Sequence, residues 1–139
     1  MRKVFLMTLP FFVLAAEVVA ASPCLKYEPE FVELKGKMKR IVFPGPPNYE
    51  SVKAGEHPEP YYVLFLSKGV CVQGDPKDEI NSETEKDVKS IQLMITDYKK
   101  YRPLLGKNVT AKGQLMHSHT GHHHTKVLIQ VQSLMKTPN

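Results

Sequence analysis

The chain has 139 residues, 42% of them apolar, 24% charged, with a formal net charge of +5. That is enough for one domain with one core, and too little for two. Two cysteines exclude a thiolate-rich zinc site, and the modest basic excess on a chain read below as exported speaks against nucleic acid as a partner.

Met1-Arg2-Lys3 is a basic start, and Val4 to Ala16 is apolar apart from Thr8 and Pro10. Val19-Ala20-Ala21 then puts small residues where a signal peptidase cuts. Residues 1–21 therefore read as a secretory signal peptide and 22–139 as a single exported domain, periplasmic or secreted. The apolar run is too short to span a bilayer, and nothing later is apolar enough. Without the leader the chain has about 118 residues and a charge of about +4. Cys24 follows Pro23 rather than a small residue, so it does not read as a lipid-anchor cysteine. Cys24 and Cys71 meet an oxidising compartment and are expected to form one disulfide. Closing that loop contributes roughly 4 kcal/mol on the chain-entropy account.

Val32 to Val42 reads as the first strand. Val32, Leu34, Gly36, Met38 and Val42 take one face; Glu33, Lys35, Lys37 and Lys39 take the other. Arg40 breaks the alternation and suggests a bulge, while Gly36 suggests a bend or a close backbone approach. Residues 43–60 form a long connection stiffened by prolines, with few conformations to lose on binding. Tyr49, Glu50 and His57 are its candidate ligand-binding residues, beside Ser51 and Glu59. Ser, His and Glu in one loop invite a catalytic triad, but no nucleophile elbow surrounds Ser51.

Tyr61 to Leu66 is an apolar strand that Lys68-Gly69 kinks before Val70-Cys71-Val72. Residues 75–89 are charged and nearly free of apolar side chains, which predicts a mobile surface excursion or a short exposed helix. Ile91, Leu93 and Ile95 alternate as a further strand. Asp97 can cap a short helix in which Tyr98, Tyr101 and Leu105 fall at helical spacing, limited by Pro103 and ended by Gly106. Lys99, Lys100, Arg102 and Lys107 crowd this segment. With the strand lysines they make a face that suits lipopolysaccharide or acidic glycans, or that simply solvates a sheet.

Five of the six histidines fall between His117 and His124, between the strand-like runs 108–116 and 126–134. A three-residue hairpin loop, His119-Thr120-Gly121, keeps both apolar sets on one face and puts Gly121 where a left-handed residue is needed. In that register Leu115 pairs with Thr125, and His117 opposes His123 with His119 just above them. Opposed Cβ atoms lie roughly 5 Å apart, so these three imidazoles could share one ion of zinc, copper or nickel. With water as fourth ligand the site would be open. His122 and His124 point the other way and are weaker candidates. The plain alternative is a solvated polar tip.

Strand, long loop, two strands, short helix, strand, loop, strand is the order of a small five-stranded Greek-key barrel of the OB type, mainly β with one short helix. That fold binds ligands between its first-to-second and fourth-to-fifth loops, here 43–60 and 117–124. Phe43-Pro44-Gly45-Pro46-Pro47-Asn48-Tyr49-Glu50-Ser51, Cys71-Val72 and Thr120-Gly121-His122-His123-His124-Thr125 together resemble the bacterial domain-of-unknown-function 4431 family. The resemblance covers most of the chain after the leader. It implies a small exported bacterial domain and brings no catalytic residues with it. The expected function is a non-enzymatic binding module that holds a small ligand, a polyanion or an envelope protein. Two alternatives are a transition-metal protein, and a metal-dependent hydrolase with Glu50 or Glu59 as base.

Overall fold

The computed structural model describes residues 23–138, so the leader read over residues 1–21 lies outside the described residues. Over these residues the protein is mainly β, with six strands in one sheet and one short helix. The strands are β1 (Leu25–Lys26), β2 (Phe31–Pro44), β3 (Pro58–Gln73), β4 (Glu85–Met94), β5 (Asn108–His117) and β6 (Val127–Lys136). The helix α1 (Tyr98–Tyr101) leads into a 3-10 turn at Arg102–Leu104. Among the described residues no helix is long and apolar enough to cross a membrane.

Neighbouring strands run in the order β1, β3, β2, β5, β6, β4, and β4 pairs again with β3. The pairings of the five long strands therefore return to their starting point. All are antiparallel except β4 with β6. Strand alternation sends one set of side chains inward. Leu34 and Met38 from β2, Leu64 from β3, Ile91 and Leu93 from β4, Leu115 from β5 and Ile129 from β6 meet in one core. Leu104 and Leu105 pack against its side, as do Tyr98 and Tyr101.

Several expectations hold for identifiable reasons. Cys24 and Cys71 form the disulfide, beside the parallel pairing of Leu25 with Val72. Asp97 caps α1, its Oδ1 accepting the Lys100 amide at 2.9 Å. The ladder between β3 and β4 is irregular between Phe65 and Val70, around Lys68-Gly69. At Gly36 a Cβ would collide with the Phe65 carbonyl, so the close backbone approach at mid-strand requires glycine.

Others are corrected. β2 pairs with β3 without interruption through Arg40, so there is no bulge there; Arg40 faces Tyr62 across the ladder. β4 begins at Glu85, within the stretch expected to be an excursion or a helix. The chain before it is tied down as well, because Asp78 accepts the amides of Ile80 and Asn81 at 2.8 Å each, and Asn81 is buried. Charged side chains are compatible with a strand whose outer face meets water. β1 has only two residues and no alternation to betray it.

Candidate functional site: the rim where two loops meet

The hairpin that carries the histidines is wider than a three-residue loop. β5 ends at His117 and β6 begins at Val127, with Leu115 opposite Ile129, Met116 opposite Leu128 and His117 opposite Val127. His117 and His123 are therefore not cross-strand neighbours. Gly121 is not left-handed, unlike Gly55 and Gly106. The correction shifts the register by four residues relative to the pairing of Leu115 with Thr125. From Gly113 to His117 an even shift leaves every side chain on its face, so there the apolar pattern fits both registers; the irregularity between Lys112 and Gly113 then brings Leu134 opposite Ala111 and into the core.

Contacts outside the hairpin decide between them. Gln92 on β4 lies between the inward Ile91 and Leu93, so its side chain points outward, yet it is fully buried. Its Nε2 donates to the His122 carbonyl at 3.1 Å, and its Oε1 accepts the His124 amide at 2.8 Å. Its own amide donates to Thr125 Oγ1 at 2.9 Å, and that hydroxyl donates to the Val127 carbonyl at 2.7 Å. The ladder partners of Gln92, Val63 and Leu128, are buried on the same outer side. The loop is held against the outer face of the sheet by an amide that would otherwise be an ordinary surface glutamine.

Glu59, the second residue of β3 rather than part of the connection expected over 43–60, takes the histidines. His122 Nδ1 lies 2.7 Å from Glu59 Oε1, and His124 Nε2 lies 2.9 Å from Oε2. The Glu59 and His124 side chains are only 11% and 9% exposed, whereas His122 is 56% exposed. Burial pushes the Glu59 carboxyl up, but the hydrogen bonds from His124 and His122 outweigh it and hold its pKa below the usual carboxylate value. Phe43 stacks parallel on the His124 ring at 4.5 Å, and Tyr61 leans on it at 5.5 Å. The Tyr61 phenol is pushed up, first by burial and then by the Glu59 charge.

Tyr49 closes the outer side. Its ring meets His122 edge-on at 6.1 Å and lies so close to Gly121 that a Cβ there would sit 2.7 Å from Tyr49 Cζ. Its φ of 59° is left-handed, an uncommon conformation for a tyrosine. Beside the clasp is a hollow of about 410 Å³. His57, Glu59 and His122 offer polar groups there, and Pro60, Tyr61 and Tyr98 offer flat walls.

The remaining histidines go elsewhere. Both His117 ring nitrogens face acceptors: Nε2 is 3.1 Å from Glu85 Oε1, and Nδ1 is 3.0 Å from the Ser118 carbonyl. Lys126 Nζ holds the other Glu85 oxygen at 3.0 Å. The bonds from His117 and Lys126 outweigh burial and lower the Glu85 pKa. The His117 amide donates to buried Asn81 Oδ1 at 2.9 Å. His119 and His123 meet edge-to-face at 4.6 Å, and the His119 amide donates to His123 Nδ1. Burial, then the neighbouring His119, His122 and His124, lower the His123 pKa.

The expected trio of His117, His119 and His123 is thus divided. Among the described residues no three His, Cys, Asp or Glu side chains are arranged to hold a metal ion. Of the loop candidates, Tyr49 and His57 come to the rim. Glu50 is exposed and makes no ion pair or side-chain hydrogen bond among the described residues. Gln92, Phe43, Tyr61 and Glu85 were not singled out from the sequence. Nothing local marks any of them, whether read in a strand, in the 43–60 connection or in the charged stretch 75–89, and only the partner across the fold gives each a role.

Residues 90–135, from β4 through the histidine loop into β6, match the family described as a domain of unknown function (DUF4431). The match bears out the resemblance seen at Thr120 to Thr125, while the stretch Phe43 to Ser51 lies outside it. No curated protein and no solved structure matches the chain.

Proposed function

We propose that the protein is a small exported binding module, non-enzymatic, with the architecture of a five-stranded OB-like Greek-key barrel. The architecture is supported by the closed circuit of strand pairings with its single parallel pair, β4 with β6, and by the short helix between β4 and β5. The observation that carries the function is the Glu59 clasp. One carboxylate receives two imidazoles from a loop more than sixty residues away, among aromatic rings, and joins the two loops at one rim.

A pocket with flat apolar walls and a few fixed polar groups suits a small ligand with a flat face and hydroxyl or amide groups at its edge. A saccharide fits that description, and oligosaccharides are among the ligands OB folds take. The metal and hydrolase readings need His117 beside His119 and His123, but its ring is turned to Glu85. Titrating 15N-labelled protein with chitotriose tests the binding reading. Saturable amide shifts at Tyr49, Glu59, Tyr61, Tyr98 and His122, lost in Glu59→Gln, are the expected result. No saturable shift at millimolar chitotriose, or the same shifts in Glu59→Gln, would overturn it.

A further inference from the structure

Beyond Tyr98 the surface becomes basic. Arg40, Lys99 and Arg102 stand around a hollow of about 570 Å³ whose other walls are Tyr62, Tyr98 and Leu105. The three cations come from β2, α1 and the turn after it, and all are exposed. Arg40 is the unusual one. It has the same parity as Leu34 and Met38, so it stands on the inward face of β2 just past the core, opposite Tyr62.

Here no carboxylate lines the hollow, and among the described residues none of the three cations forms a salt bridge. Asp97, the nearest acid along the chain, turns Oδ1 to the Lys100 amide. The floor is braced: the Tyr62 hydroxyl donates to the Tyr98 carbonyl at 3.2 Å, and the two rings meet at 4.8 Å. The Tyr98 phenol is pushed up to about 12, mainly by burial and then by Tyr61 and Tyr62, so it keeps its proton at neutral pH. Three like charges gathered without an acid repel one another, and a bound dianion relieves that repulsion.

We propose that this hollow binds the phosphate or sulfate group of a soluble ligand. Arg40 and Arg102 each present a planar fork that matches two oxygens of such a group, and Lys99 adds a compact charge. The hollow and the rim share only Tyr98, so this site stands whether or not the rim takes a saccharide. A ligand long enough to cross Tyr98 would place its flat part at the rim and its oxyanion here.

Titration of 15N-labelled protein with sodium phosphate and with sodium sulfate tests the site. Saturable shifts confined to Arg40, Tyr62 and residues 98–102, weakening as sodium chloride is added, support it. In Arg40→Gln/Arg102→Gln the affinity should fall about tenfold or more, while Lys35→Gln/Lys112→Gln, on another part of the surface, keeps it. Should the double variant prove less thermostable, Lys99→Gln should still weaken binding about threefold. No saturable shift at tens of millimolar anion, or equal weakening in the Lys35/Lys112 control, overturns the proposal. So does pelleting with phosphatidylglycerol vesicles without any response to the soluble anions, which would mark a membrane-facing patch instead. The arginine variant should keep its chitotriose response, so failure at one site is distinguishable from failure at the other.

Discussion

Two carboxylates hold the histidine loop, and they hold it differently. Glu59 and Glu85 are similarly sheltered, 11% and 14% exposed, and both are held below the usual carboxylate pKa by an imidazole. Glu85 also has the Lys126 amine at 3.0 Å, and it sits at the root of the hairpin beside buried Asn81. Its charge is answered within the scaffold. Glu59 is held by His122 and His124 with no lysine or arginine paired to it among the described residues, stands between aromatic walls, and links segments with no ladder between them. The first clasp sets where the loop starts; the second sets what the loop faces. A carboxylate held by imidazoles among aromatic rings at a hollow is the one the proposed binding reading uses, whereas the one closed by lysine belongs to the scaffold.

Breaking what holds the loop backbone between the two clasps should have the largest effect. Gln92→Leu removes the buried amide that pairs with the loop backbone at His122 and His124. It should cost about 2–3 kcal/mol, read from the urea midpoint, with loss of the rim response to chitotriose. Glu59→Gln and Glu85→Gln should each cost about 1–2 kcal/mol, since each removes charge-assisted hydrogen bonds. Only the first should abolish chitotriose binding; equal loss in both would dissolve the distinction between them.

Acid sharpens the same comparison. Both carboxylates have folded pKa values below 4.5, so the unfolded chain binds more protons in the window beneath it. Their contribution is present above about pH 4.5 and is lost as pH falls through the lowered folded values. His123, whose folded pKa is lowered from 6.5, adds an earlier loss as pH falls below that value, because the unfolded imidazole charges first. Urea midpoints measured from pH 7.5 to 3 should therefore decline in two stages. The acid stage should flatten in a Glu59→Gln/Glu85→Gln double variant, and the earlier one in His123→Gln.

Smaller effects complete the series. Gly121→Ala forces its Cβ against Tyr49 Cζ and the hydroxyl, and should cost about 1 kcal/mol with amide shifts at Tyr49 and His122. Lys126→Met should change stability by less than about 1 kcal/mol, because that end of the Glu85 pair is 76% exposed.

Whatever depends on neighbours along the chain was legible in the residues. Alternation named Leu34, Met38, Ile91, Leu93, Leu115 and Ile129 as inward-facing, because strand parity is a local property. Asp97 announced the start of α1, and two cysteines in a chain read as exported left one pairing. Gly36 marked a close approach, though not that the Phe65 carbonyl was what approached. The aim of the histidines was another matter. Near the tip, registers four residues apart bury the same apolar set, so strand parity there does not distinguish His117 opposite His123 from His117 opposite Val127. The choice belongs to Gln92 and Glu59, which reach the loop from β4 and β3 across separations of 30 to 65 residues. Hydrogen bonds over that range form only when the sheet has brought its strands together, and so only the tertiary structure decided which imidazoles meet a carboxylate and which meet each other.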